Sequence, residues 1–168
     1  LYTYKKGLSN EAHVNAFEYL DWPTSEGETD AVSPKEVRRM VEATETTNEK
    51  VTMVLVGAAG ARPNDIRIVD ARKEAEQLHL GDDPHIQYPE GRKNGRGRGT
   101  IMAGVDFLRE YVDYLEGLDD WEGDLLVTDE TGSEYMDERD IRDTVKKIAE
   151  RANVTKSNGD PVTPRNLR

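Results

Sequence analysis

The nine residues Gly91-Arg92-Lys93-Asn94-Gly95-Arg96-Gly97-Arg98-Gly99 contain four glycines, four cations and no acid. Neither a helix nor a buried strand can run through them, because glycine loses the most backbone freedom on ordering and four charges have no place in a core. The segment is therefore an exposed turn. His85-Ile86-Gln87-Tyr88 before it reads as a strand and Thr100-Ile101-Met102 as the returning strand, with Asn94-Gly95 a strong short-hairpin signal. Several of the apolar periodicities elsewhere are helical.

The helices announce themselves by their ends. Ser33 suits an N-cap, Pro34 the first helical position, and Glu36 completes a capping box. Val37, Met40, Val41 and Ala43 follow as an apolar stripe, with the helix expected to stop near residues 45–47. Val51 to Ala59 is apolar throughout and fits a buried strand or a buried helix, ended by Gly60. Arg62 to Val69 reads as a short helix with Pro63 in its first turn. Val105, Leu108, Tyr111, Val112 and Leu115 share one helical face, and Gly117 suits the C-terminal cap. Leu125 to Val127 is a short buried piece, and Asp137 caps a last long helix through Ile141, Val145, Ile148 and Ala152. Residues 1–30 read as a linker or the end of a preceding segment, and residues 31–168 as one domain.

Composition removes several kinds of chemistry. The chain has no cysteine, which excludes disulfides, thiolate metal sites and a cysteine nucleophile. Of its three histidines, His13 falls in the tail, His79 in a loop and His85 at a strand start; they stand at no metal-ligand spacing, and none has a catalytic partner nearby in sequence. No apolar run is long enough to span a bilayer and no secretory pattern opens the chain, so a cytoplasmic location and no membrane partner are expected. The net charge is −11, yet the 23 basic residues divide into 14 Arg and 9 Lys, a balance that with the many acids suggests adaptation to high salt. In molar salt the Debye length is about 3 Å, so global acidity is a weak argument against a nucleic-acid partner.

Local clusters carry more weight. Residues 105–143 hold fifteen acids and three bases, while residues 91–99 hold Arg92, Lys93, Arg96 and Arg98 alone. A net-acidic chain that gathers its cations on a glycine-rich turn either presents them to phosphate or keeps a sheet edge solvated. Arg62 follows the small residues Gly57 to Ala61, as a buried structural arginine or a phosphate binder would. Arg165 and Arg168 lie three apart on one helical face. No G-x-x-x-x-G-K-[ST] motif is present, which excludes a phosphate loop of that kind.

Taken in order, these pieces resemble the catalytic domain of the tyrosine recombinases, the phage integrase family, over about residues 31–168. Gly60-Ala61-Arg62-Pro63-Asn64-Asp65 is similar to that family's first arginine box, with Asp65 at its acidic position. The basic hairpin stands where the family carries its catalytic lysine, and counting back from Arg98 places Lys93 there. Thr163-Pro164-Arg165-Asn166-Leu167-Arg168 is similar to the second box, with Arg165 where histidine is usual. In the family a second histidine or tryptophan and the nucleophilic tyrosine come after this box, and none of the seven tyrosines here stands there.

The resemblance implies a mainly α fold with a small antiparallel β-sheet (α+β), and DNA strand transfer by the parent protein. A tyrosine hydroxyl attacks the scissile phosphate, forms a 3′-phosphotyrosyl link and frees a 5′-hydroxyl. Arg62 and Arg168 would stabilise the charge gathering on the phosphorane, and Lys93 would protonate the leaving 5′-oxygen. Arg165 would assist electrostatically, since a guanidinium does not serve as a proton relay, and Asp65 would be structural support. Double-stranded DNA is the implied partner, self-association on DNA is expected, and no cofactor or metal is expected. This chain alone is expected to be inactive. Two other readings remain: a catalytically inactive DNA-binding remnant or regulator of the same fold, and a halophilic protein-interaction domain unrelated to DNA.

Overall fold

The computed structural model describes residues 31–90 and 97–167. The proposed linker over residues 1–30, with His13, lies outside them, as do Arg92, Lys93, Asn94-Gly95, Arg96 and Arg168. Among the described residues no helix is long and apolar enough to cross a membrane.

Helix α1 spans Pro34–Glu42 and begins with the expected box: Ser33 accepts from the Glu36 N–H, and the Glu36 carboxylate accepts from the Ser33 N–H at 2.9 Å. It stops at Glu42, earlier than expected, because a second cap at Thr46 starts helix α2, Thr47–Met53. The apolar run that fitted strand or helix is helical. It continues α2 as a π-turn over Val54–Ala58, in which the Ala59 N–H donates to the Val54 carbonyl at 3.1 Å. Gly60, at φ 60°, ends it in a conformation that costs other residues energy. Pro63–Arg67 forms the short helix α3.

A three-stranded antiparallel sheet follows in the order β1 (Leu78–His79), β2 (His85–Tyr88), β3 (Gly97–Thr100). Two expectations are corrected here. The returning strand occupies residues 97–100 rather than 100–102, and its described pairs with β2 run from His85↔Thr100 to Tyr88↔Gly97. His79, expected in a loop, is in β1 opposite His85, and the two rings stack at 4.2 Å. Tyr88 lies over Gly99, where an added Cβ would sit 3.0 Å from the ring, so glycine here serves close packing.

Helix α4 spans Val105–Leu115, as its apolar stripe indicates, and buries Val105, Leu108, Tyr111, Val112 and Leu115. Gly117 follows without a left-handed φ, and its N–H closes a turn onto the Tyr114 carbonyl. Helix α5, Glu138–Arg151, starts at the capping box of Asp137 and Asp140. It packs on α1, α2 and α3, and its end is held by Arg151, which donates to Glu49 at 2.8 and 3.1 Å and to the Ala43 carbonyl at 2.7 Å. Those bonds hold the Glu49 carboxyl down at about 2, against the opposing effect of burial.

Candidate nucleic-acid interface

Three parts of the chain that carry candidate cations meet at the π-turn Val54–Ala58. The first is the segment that leaves it. The Ala61 N–H donates back to the Leu55 carbonyl at 3.0 Å, which fixes the backbone just before Arg62. Arg62 itself is extended (φ −84°, ψ 151°) and stands at the N-cap of α3, where Pro63 follows at the position its locked φ favours. Its side chain is half-buried, and no described residue hydrogen-bonds or ion-pairs with its guanidinium. Asp65, three residues on, is 4% exposed and sits within α3, which packs against α5.

The second part is the sheet. Beyond β3, the Met102 N–H donates to the Ala58 carbonyl at 3.2 Å and the Ile101 N–H to the Pro84 carbonyl at 2.9 Å. The strand that leaves the basic hairpin is thereby bonded to the end of the π-turn. Arg98, on that strand, is exposed and ion-paired with Asp83. Asp83 had no sequence signal, because the pairing is made by strand register and not by local spacing.

The third part is the C-terminal turn. Pro164–Leu167 forms a 3₁₀ turn that packs on Val54–Ala58. Asn166 is buried and organises it: its side-chain oxygen accepts from the Thr163 N–H at 2.8 Å and the Thr163 hydroxyl at 2.7 Å. Its carbonyl accepts from the Val32 N–H at 2.8 Å, which ties the turn to the approach of α1. Arg165 projects from the turn, exposed, with no described residue bonded to its guanidinium. Arg168 follows directly in sequence.

The structure thus brings the Arg62 segment, the foot of the basic hairpin and the Arg165 turn onto one buried piece of backbone. Lys93, Arg92, Arg96 and Arg168 lie outside the described residues, so their sequence neighbours alone are placed. The chemistry this arrangement offers is recognition of an anion by guanidinium groups, whose forked donors match phosphate oxygens. Among the described residues no group of three His, Asp or Glu could hold a metal ion.

No protein-family model matches the chain, and no curated protein matches it. Solved structures do. XerA recombinase superposes with a TM-score of 0.66 at 21% identity, over 86% of this chain and 49% of that one. XerH site-specific recombinase, bound to difH substrate in a pre-cleavage complex, gives 0.55 at 15% identity, over 99% and 47%. An integrase from mycobacterium phage Brujita gives 0.53 at 13% identity, over 88% and 43%. The chain spans a little under half the length of each of these proteins. What it shares with them is the fold, a mostly helical domain with a small three-stranded antiparallel sheet.

Proposed function

We propose that this chain is the DNA-contacting, charge-stabilising part of a tyrosine-type site-specific recombinase. The observation that carries the reading is the convergence on Val54–Ala58 of the Arg62 segment, the hairpin's exit strand and the Pro164–Leu167 turn. The fold shared with three recombinases and integrases supports it, and one of those neighbours is bound to its difH substrate.

In this reading Arg62 and Arg168 grip the non-bridging oxygens of the scissile phosphate. Guanidinium groups donate hydrogen bonds and positive charge together, so they stabilise the phosphorane without a proton transfer of their own. Arg62 suits the task because its guanidinium is not committed to any described carboxylate. Lys93, on the hairpin, protonates the leaving 5′-oxygen, and Arg165 adds positive charge where an imidazole would be usual. Arg92, Arg96 and Arg98 contact backbone phosphates on either side, which positions the duplex without reading its sequence. Asp65 holds α3 and through it the backbone of Arg62. None of the seven tyrosines of this chain is given the attacking role in this reading.

The test has two arms. Duplex DNA binding by the chain should weaken steeply as salt rises, and supercoiled plasmid should stay uncut with no covalent protein adduct. A phosphotyrosyl adduct mapped to any tyrosine of this chain would overturn the assignment of roles, and salt-independent binding would remove the phosphate contacts.

A further inference from the structure

A cleft of about 500 Å³ opens between α4, the start of α2 and the segment around Val127–Glu130. None of the cations argued for DNA contact lines it. Along one wall run three aromatic rings, Phe107, Tyr111 and Tyr114, with neighbouring centroids 6.3 and 6.4 Å apart and planes inclined by 11° and 26°. Tyr111 is buried, while Tyr114, at the end of the row, is 57% exposed. Three carboxylates, those of Glu110, Asp129 and Glu130, complete the lining, and no cation does.

The ladder already holds one cation of its own. The Lys50 ammonium lies over the Phe107 ring, 4.6 Å from its centroid. The Tyr114 end carries no such partner among the described residues. Asp129 is engaged by the Thr131 and Ser133 hydroxyls and the Glu134 N–H, and so shapes the lip of the cleft. Glu110 and Glu130 are exposed and pair with no described cation.

We infer that this cleft is a binding site for an arginine side chain presented by a protein partner. A guanidinium is flat and weakly hydrated, so it stacks on the Tyr114 face while its edge donors reach the Glu110 and Glu130 carboxylates. An acidic peptide is repelled by the three carboxylates, and a purely apolar segment leaves them without partners. The site is built from residues outside the Arg62 neighbourhood and does not depend on the DNA reading.

The experiment is calorimetric titration of the whole chain with the blocked peptide Gly-Arg-Gly-Arg-Gly, beside its citrulline counterpart, which keeps the shape and loses the charge. The arginine peptide should bind, and the citrulline peptide at least about tenfold more weakly. Tyr114→Ala and the pair Glu110→Gln/Glu130→Gln should each weaken arginine binding about tenfold or more. Glu74→Gln/Asp160→Asn, which removes the same charge away from the cleft, should change it less than about twofold. Binding unaffected by Tyr114→Ala, or weakened equally by the distant pair, would overturn the site in favour of diffuse attraction to an acidic chain. Self-association of the chain abolished by Tyr114→Ala, measured by sedimentation, would overturn it in favour of a second copy as occupant.

Discussion

The Met102 N–H donates to the Ala58 carbonyl at 3.2 Å, so the strand leaving the basic hairpin is bonded to the helix end that leads to Arg62. Two residues on, Gly104 has φ 79°, and a Cβ there would meet both methyl groups of Val54 at 2.9 Å. The contact between the start of α4 and the π-turn leaves no room for a side chain there.

Gly104→Ala should therefore destabilise the fold by about 1–3 kcal/mol, through the left-handed backbone and the clash together. Adding Val54→Ala relieves the clash alone. The double variant should be more stable than the sum of the single losses by about 1 kcal/mol, as residues in contact couple. Urea denaturation of the four proteins measures this, and strict additivity would contradict the contact.

Asn166→Ala should cost about 1–3 kcal/mol, since the Thr163 N–H and hydroxyl lose a common buried acceptor. It should also weaken DNA binding, because the turn that carries Arg165 loses its organiser. The comparison is with Arg165→Gln, which should weaken binding and leave the denaturation midpoint within about 0.5 kcal/mol of wild type.

Glu49 gives the fold a pH dependence. Its folded-state pKa of about 2 lies below the ordinary 4.5, chiefly through the Arg151 hydrogen bonds. The stabilisation is complete above pH 4.5 and is lost as pH falls from there toward 2. Glu49→Gln should cost about 1–3 kcal/mol at pH 7. The difference from wild type should shrink as the two are titrated below pH 4.5, followed by chemical denaturation. A gap of constant size down to acid pH would contradict the assignment.

Much of this architecture is written locally. Ser33 with Glu36, the five apolar residues from Val105 to Leu115, and Asp137 are each sufficient to place a helix, because caps and 3.6-residue spacing act over one or two turns. The order of Arg62, the basic hairpin and Arg165 was equally legible as a resemblance. What sequence did not show is long-range. The His79–His85 stack, Asp83 on Arg98 and the meeting of three segments at Val54–Ala58 depend on register and packing, which no short window contains. Val51 to Ala59 left strand and helix open because a run buried on every side has no periodicity to read.

Asp83→Asn should raise DNA affinity by releasing Arg98 from its ion pair, with a steeper salt dependence by up to about one in the log–log slope. Stability should hardly change, since exposed pairs contribute about 0–1 kcal/mol. Gel shift at three salt concentrations reads it, and unchanged affinity would mean that Arg98 does not reach phosphate.

The most direct measurement is the salt dependence of duplex DNA binding by the whole chain, by Arg62→Gln, and by the hairpin variant with Arg92, Lys93, Arg96 and Arg98 all changed to glutamine. The phosphate-binding account predicts a slope lowered by about one for Arg62→Gln and by up to about four for the hairpin variant. Thermal midpoints should stay close to wild type, because Arg62 is only half-buried, Arg98 is exposed, and cations of a glycine-rich segment add little packing. Wild-type affinity and slope in both variants would contradict it.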